Sequence, residues 1–124
     1  MEYNPESLST SKGWLAIDEL ERLDLVIDFH KRHKIKLPNV RLHSLIHVMV
    51  ENQLTEDIKE VKDKMTELLS DGLSRHDAIH AIGSVLSTFF YEIIKGGKSS
   101  SDPNREYLEK LATLNANKWL HQKS

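Results

Sequence analysis

The chain has 124 residues, a formal net charge of −2, 39% hydrophobic and 29% charged residues, and no cysteine. This balance is that of a globular protein with one core, and the weak acidic excess excludes a broad electrostatic footprint for nucleic acid. The lack of cysteine excludes disulfides and thiolate metal ligands. We therefore expect residues 1–124 to form a single domain with no nucleic-acid partner.

A membrane partner is not expected either. No apolar run approaches the roughly 18 residues that a membrane-spanning helix needs, and the polar start of the chain lacks the basic and then apolar form of a signal peptide. These features predict a soluble cytoplasmic protein. Glycine and proline are scarce, at 5 and 3 residues, which favours helices over a turn-rich β fold.

An all-α fold is predicted because apolar residues recur at three- and four-residue steps along most of the chain. Four main helices are predicted, the first from about residue 16 or 18 to 33 and the others over about residues 40–53, 56–70 and 75–95. One or two short C-terminal helices follow within residues 103–121. Residues 1–13 are predicted to form an extended arm, and residues 96–102 a loop. Residues 14–95 make up the core of the bundle. The expected architecture is a single helical bundle.

Residues with capping preferences set the predicted helix ends. Asn39 is a good N-cap for the second main helix and Thr55 for the third, while Gly72 suits the left-handed position that follows the third. Ser74 opens the fourth main helix, and Asp102 followed by proline opens the next one. The connections between these helices are short, so the helices should run alternately up and down.

The strongest functional signal is the spacing of histidines on two of these helices. His43, His47 and Glu51 follow one another at four-residue steps on one flank of the second main helix. His76 and His80 repeat that step on the fourth, in R-H-D-A-I-H-A-I-G. Side chains four apart on a helix have Cβ atoms roughly 6 Å apart, so two imidazole nitrogens can share one metal ion at about 2.0 to 2.1 Å.

The two histidine pairs are expected to meet. If the helices alternate in direction, the second and fourth are parallel and the pairs lie at about the same height. Four buried imidazoles without partners would cost about 1 to 3 kcal/mol each, whereas a metal ion satisfies them. We therefore predict a site for one metal ion, or for two, formed by His43, His47, His76, His80 and Glu51. Zinc or iron is favoured, and nickel or copper also suits imidazole ligands.

Glu51 has three candidate roles: a fifth ligand, a partner that orients an imidazole, or the general base acting on a metal-bound water. A metal-dependent hydrolase and a metal sensor or carrier both fit the pattern, so it leaves open whether the protein is an enzyme. The alternative is a structural or protein-interaction module without metal. Its histidines would hydrogen-bond to each other, to Glu51 and to Ser84 or Ser87.

The other histidines are predicted to be surface residues. His30 and His33 belong to a basic run at residues 30–36, which complements the dipole at the end of the first main helix. From that helix, His30 can nevertheless reach the metal site. His121 lies close to the C-terminus and is expected to be exposed.

Two segments carry a resemblance to a known family. They read L-P-N-x-R-L-H-x-x-I-H-x-x-x-E-N-Q-L at residues 37–54 and G-L-S-R-H-D-A-I-H-A-I-G-S-V-L at residues 72–86. Together they resemble a bacterial domain-of-unknown-function family of the DUF 1841 type. The resemblance implies a small helical cytoplasmic protein with paired histidines, and it implies no particular activity.

A second resemblance concerns the order of the histidines along the chain. Three parts of a motif occur in sequence, at His30, at His47 with Glu51, and at His76 with His80. This order is similar to that of hemerythrin, a helical bundle that holds two iron ions. The fourth part of the hemerythrin motif, H-x-x-x-x-D, does not occur, and His43 is additional. The resemblance implies that iron is a candidate metal.

Overall fold

A computed structural model describes residues 2–7, 11–33, 39–96 and 102–123. Within these ranges the chain forms helices and no strand, so the predicted all-α fold is confirmed. The helices are α1 Ser11–Leu15, α2 Glu19–Arg32, α3 Val40–Thr55, α4 Lys59–Ser70, α5 Arg75–Ile94, α6 Pro103–Ala112 and α7 Ala116–Lys123. Most of the loop predicted at 96–102 lies outside the described residues. None of the described helices is long and apolar enough to cross a membrane.

Most of the predicted caps are present. The side chains of Asn39, Ser74 and Asp102 each accept a hydrogen bond from a backbone N–H in the first turn of α3, α5 and α6. Each bond satisfies a donor that the helix itself leaves unpaired. Gly72 follows α4 with a φ of 98°, the left-handed conformation in which glycine is favoured. These local signals predicted the helix boundaries correctly.

The prediction that Thr55 caps α4 was wrong, because Thr55 is the last residue of α3. Its side chain is buried, and its hydroxyl donates to the Asn52 carbonyl oxygen of the preceding turn at 3.0 Å. The chain reverses instead at Asp57, which has a φ of 58°. The residue before α4, Ile58, makes no side-chain cap bond. Residues 56–58 separate Thr55 from α4, so its hydroxyl belongs to the last turn of α3, and local propensity does not distinguish the two uses.

The N-terminal segment also differs from the predicted arm. Residues 11–13 are already helical in α1. Tyr3 is only 2% exposed, and its ring centroid lies 5.7 Å from that of Trp14 and 5.8 Å from that of Phe29. We call residues 2–7 the N-terminal strap. Aromatic burial of this kind holds the strap against α1 and α2.

Two apolar clusters stabilise the fold, and α3 contributes to both. The larger one joins α3, α4, α5, α6 and α7 around fully buried residues such as Val61, Leu68 and Ile82. The smaller one packs the strap, α1 and α2 against Val48 of α3. Gly83 of α5 lies so close to α3 that a Cβ atom there would be 2.9 Å from the Cγ2 atom of Ile46. Side chains on α2, α3 and α5 can therefore meet.

Candidate metal centre

Five imidazole rings meet where α2, α3 and α5 converge. They belong to His30 on α2, His43 and His47 on α3, and His76 and His80 on α5. Each ring centroid lies 4.2 to 5.4 Å from at least two others. We call this group the histidine cluster. It brings together the histidine pairs that the sequence places on two separate helices.

Four of these residues offer ligand atoms at metal-binding spacing. One ring nitrogen from each of His30, His47, His76 and His80 lies within 4.8 Å of the other three. Nitrogens about 2.1 Å from a shared ion lie about 3.4 Å apart in a tetrahedron and about 4.2 Å apart across an octahedron. Small side-chain rotations are therefore enough to bring the four nitrogens around one ion. The group includes His30 and leaves out His43 and Glu51 of the predicted set.

The prediction that His30 lies at the surface was wrong, because its side chain is 0% exposed. It lies one helical turn after Val26 and next to Phe29, both on the buried face of α2. The charged neighbours Lys31 and Arg32 face solvent. The basic run at residues 30–36 therefore has an inward-facing first residue. The apolar periodicity of α2 is the signal that identifies His30 as buried, because His30 lies on the same buried face of the helix as Val26.

Hydrogen bonds orient two of the four imidazoles. His30 Nδ1 lies 2.8 Å from the Val26 carbonyl oxygen, which can only accept, so Nδ1 carries the proton. The Tyr3 hydroxyl donates to Glu51 Oε2 at 2.6 Å and lies 2.9 Å from His47 Nδ1. Because that hydroxyl has one proton, His47 Nδ1 must donate to it. In both rings the Nε2 lone pair is left for another partner.

The Nε2 atoms of His30, His47 and His76 have no hydrogen-bond partner among the described residues, although all three are buried. A buried polar atom without a partner costs about 1 to 3 kcal/mol. Three such atoms in one place are an unusual concentration for a folded protein. Their residues are also three of the four that offer clustered ligand atoms. The missing partner is therefore one that several imidazole nitrogens can share.

Burial favours the neutral form of four of the five imidazoles. Burial lowers the pKa of His30, His47 and His76 from the usual value, and it lowers the pKa of His43 to about 4. Repulsion from neighbouring imidazoles lowers the pKa of His43 and His47 further. A metal ligand must present an unprotonated nitrogen. These shifts provide it at neutral pH.

Glu51 lies beside the four-ligand group and is occupied by other partners. It is 0% exposed, and Arg75 donates to both of its oxygens, at 2.8 and 2.7 Å. The Tyr3 hydroxyl supplies a third bond to the carboxylate, and burial, followed by the charge of Glu51, raises the pKa of Tyr3 well above its usual value. Of the three candidate roles, the geometry matches a partner that orients an imidazole. Glu51 orients the imidazole of His47 through the Tyr3 hydroxyl, which bonds to both residues.

The N-terminal strap closes this side of the cluster. Arg75 donates to the Pro5 carbonyl oxygen at 2.8 Å, and the His76 backbone N–H donates to Glu6 Oε1 at 2.7 Å. The sequence patterns do not identify Tyr3, Pro5, Glu6 or Arg75 as parts of the site. Only Tyr3 carries a signal, as the one aromatic residue within a polar segment. Its contacts span more than 40 positions of the chain.

A pocket of about 340 Å³ opens on the opposite side of the cluster, between α3 and α5. Its described lining consists of Asn39, Leu42, His43, Ile46, His47, Ile79, His80, Gly83, Ser84 and Ser87. His43 Nε2 lies 3.1 Å from His80 Nε2 at the inner end, so one of these rings donates to the other. Asn39 and Ser87 are exposed at the rim. The pocket therefore connects the cluster with the surface.

Comparisons with protein-family models, with curated proteins and with solved structures each found no match. The two resemblances in the sequence thus keep their status as expectations. The geometry of the histidine cluster, its hydrogen bonds and the adjoining pocket are the basis for assigning a function.

Proposed function

We propose that the protein binds one transition metal ion, zinc or iron, in the histidine cluster. The ligands would be Nε2 of His30, His47 and His76 together with a ring nitrogen of His80. This proposal is carried by three buried Nε2 atoms for which the described part of the chain offers no hydrogen-bond partner. A metal ion satisfies all of them at once, and an imidazole set without thiolate or carboxylate suits zinc and iron, as it does nickel and copper.

The outer contacts of the ligands support the same proposal. Metal-bound histidines usually donate their second nitrogen to a carbonyl or, directly or through another group, to a carboxylate. His30 does so to the Val26 carbonyl oxygen. His47 does so to Tyr3, which continues to Glu51 and Arg75. These contacts hold two rings with Nε2 turned towards the other imidazoles, so little side-chain ordering is left to occur when the ion binds.

The pocket supports an ion that other molecules can reach. A tetrahedral site with four protein ligands is closed, whereas an ion with a coordination number of five or six keeps a position for a further ligand when four imidazoles bind it. His47 and His80 line both the cluster and the pocket. Glu51 is engaged by Arg75 and Tyr3, so it is poorly placed to act as a general base in the pocket. The geometry thus favours ligand binding or sensing at the metal over hydrolysis through Glu51.

The competing function is a structural module with a metal-free polar core. The bond between His43 and His80 is what that alternative requires. It leaves the Nε2 atoms of His30, His47 and His76 unexplained, because each should then have a protein partner. One enclosed water could donate to at most two of them. The two alternatives differ in their response to added metal.

The test uses untagged protein reconstituted with Zn²⁺ or Fe²⁺ and then dialysed. We expect about one ion per chain by elemental analysis and a higher thermal unfolding midpoint, since binding to the native state stabilises it. His30→Gln should lose the ion. His33→Gln is the matched control, because His33 follows the same helix but is exposed. Less than about a tenth of an ion per wild-type chain would contradict the proposal.

A further inference from the structure

We propose that the pocket between α3 and α5 binds a small anionic amphiphile, a short apolar body with a carboxylate head group directed at the metal. This inference rests on the proposed function, because the ion supplies the charge that selects the head group. It goes further by naming the chemical class of the ligand. The shape, the lining and the charge of the pocket each support it.

The walls of the pocket select an apolar body of limited size. Leu42, Ile46 and Ile79 provide aliphatic surface on both helices. Gly83 brings α5 close to Ile46, so that a Cβ atom at this position would lie 2.9 Å from Ile46 Cγ2. A volume of about 340 Å³ lies at the small end of the range for small-molecule sites. Leu42 is 53% exposed at the rim, and a ligand that covers it would remove apolar surface from water.

The charge balance selects an anionic head group. Four neutral imidazoles leave the full charge of a divalent ion uncompensated in a partly buried site. The nearest buried carboxylate, Glu51, is already paired with Arg75 at 2.7 Å. Glu6 is exposed and bonds the backbone of His76 from the strap. The charges of Glu6 and Asp77 act on His76 from outside the pocket, and the described lining of the pocket contains no carboxylate, so on the pocket side a compensating charge comes from the ligand.

The polar groups of the lining are arranged to leave the centre of the pocket apolar. Ser84 Oγ donates to the Ala81 carbonyl oxygen at 2.7 Å, which uses the only proton of that hydroxyl. Asn39 accepts a bond from the α3 backbone as its N-cap. His43 is directed to His80. A ligand therefore meets aliphatic side chains along its length and, at its inner end, His47 and His80, two of the proposed ligands of the ion.

The experiment measures dissociation constants by calorimetry on wild-type protein that carries one Zn²⁺ or Co²⁺ per chain. The probes are octanoate, acetate and 1-octanol. Octanoate should bind at least about tenfold more tightly than acetate, because its chain buries several methylene groups. It should also bind at least about tenfold more tightly than 1-octanol, which lacks the charge. On Co²⁺ protein, octanoate should change the visible absorption of the ion.

Two tryptophan variants locate the ligand. Ser87→Trp places a large ring over the rim and should weaken octanoate binding at least about tenfold, with metal content unchanged. Thr88→Trp is the matched control, because Thr88 is the next residue on α5 and does not line this pocket. Equal affinity for octanoate and acetate, or unchanged octanoate binding in Ser87→Trp, would overturn this inference alone. A chain that holds no metal would overturn the proposed function as well.

Discussion

The two sides of α3 face regions of opposite character. On one side, Val50 packs into the larger apolar cluster with residues from α4, α5, α6 and α7. On the other side, α3 faces α2 and the strap, and this is where most of the buried polar groups lie. They are Arg22, His30, Ser44, His47 and Glu51. Apolar burial stabilises the first region directly, whereas the second buries groups that need partners.

This difference indicates that the two regions stabilise the fold by different means and that only one of them depends on a ligand. The apolar region needs no ligand, because its side chains are satisfied by packing. The polar region contains a fully paired part, formed by Tyr3, Glu51 and Arg75, and an incompletely paired part, the histidine cluster. Incomplete pairing at a buried site is destabilising unless a ligand is bound. The predictions below separate the contributions of the two regions.

Loss of the Glu51 carboxylate should have the largest effect. In Glu51→Leu, Arg75 and Tyr3 lose their shared acceptor while they stay largely buried. Removing one partner of a buried ion pair costs about 3 to 5 kcal/mol of unfolding free energy. Metal affinity should fall too, because Tyr3 no longer orients His47. Urea unfolding and metal titration measure the two effects. A loss below about 1 kcal/mol would contradict the assigned role of the carboxylate.

A cavity in the apolar region should reduce stability without changing the metal site. Leu68 is 0% exposed in the larger cluster, and Leu68→Ala should cost about 3 kcal/mol. At temperatures where the variant stays folded, its metal content should equal that of the wild type. Metal loss from the folded variant would show that the apolar region and the metal site are coupled, and it would contradict their independence.

Acid should weaken the metal-free protein through the histidine cluster. The pKa of His43 is lowered to about 4 by burial, and burial lowers the pKa of His30, His47 and His76 as well. Because these pKa values are lower in the folded state, the unfolded chain binds more protons, so the free energy of unfolding is full well above pH 6.5, the usual histidine value, and falls as the pH drops through 6.5 towards 4.

Between pH 7.5 and pH 6 we expect a loss of about 1 to 2 kcal/mol, with partly exposed rings discounted. Chemical unfolding at a series of pH values measures it. The double variant His30→Gln with His47→Gln should have a flatter profile. A profile of the wild type that is flat from pH 7.5 to pH 5 would contradict the pKa assignments.

Removal of the Tyr3 hydroxyl should have the smallest effect on stability and a specific effect on metal binding. Tyr3→Phe keeps the ring between Trp14 and Phe29 but removes the bonds to His47 and Glu51. We expect about 1 kcal/mol lower stability and about 10- to 100-fold weaker metal binding. Tyr107→Phe is the control, because that hydroxyl donates to Gln53 away from the cluster. Unchanged metal affinity in Tyr3→Phe would contradict the proposal that the Tyr3 hydroxyl orients His47.

The fold could be predicted from the sequence because its signals are local. The apolar period located the main helices, and Asn39, Ser74 and Asp102 located their starts. Thr55 was the exception, since a threonine hydroxyl can bond to the helix it ends as well as to the helix it precedes. Intrinsic propensity does not decide between these two uses.

The site could be predicted only in part, because its completion depends on long-range contacts. The four-residue steps identified His47, His76 and His80. His30 was assigned to the surface because its charged neighbours dominate the local pattern. The role of Glu51 depends on Arg75 and Tyr3, which lie 24 and 48 positions away. No local periodicity predicts such pairings, since the helix packing creates them.

The most direct test of the central claim is X-ray absorption at the metal edge of the reconstituted wild-type protein. The proposed site predicts a shell of nitrogen ligands at about 2.0 to 2.1 Å, with the outer-shell scattering of about four imidazole rings. Binding of octanoate should add one oxygen to that shell. A shell made of oxygen alone, or one with a single imidazole, would contradict a metal centre in the histidine cluster.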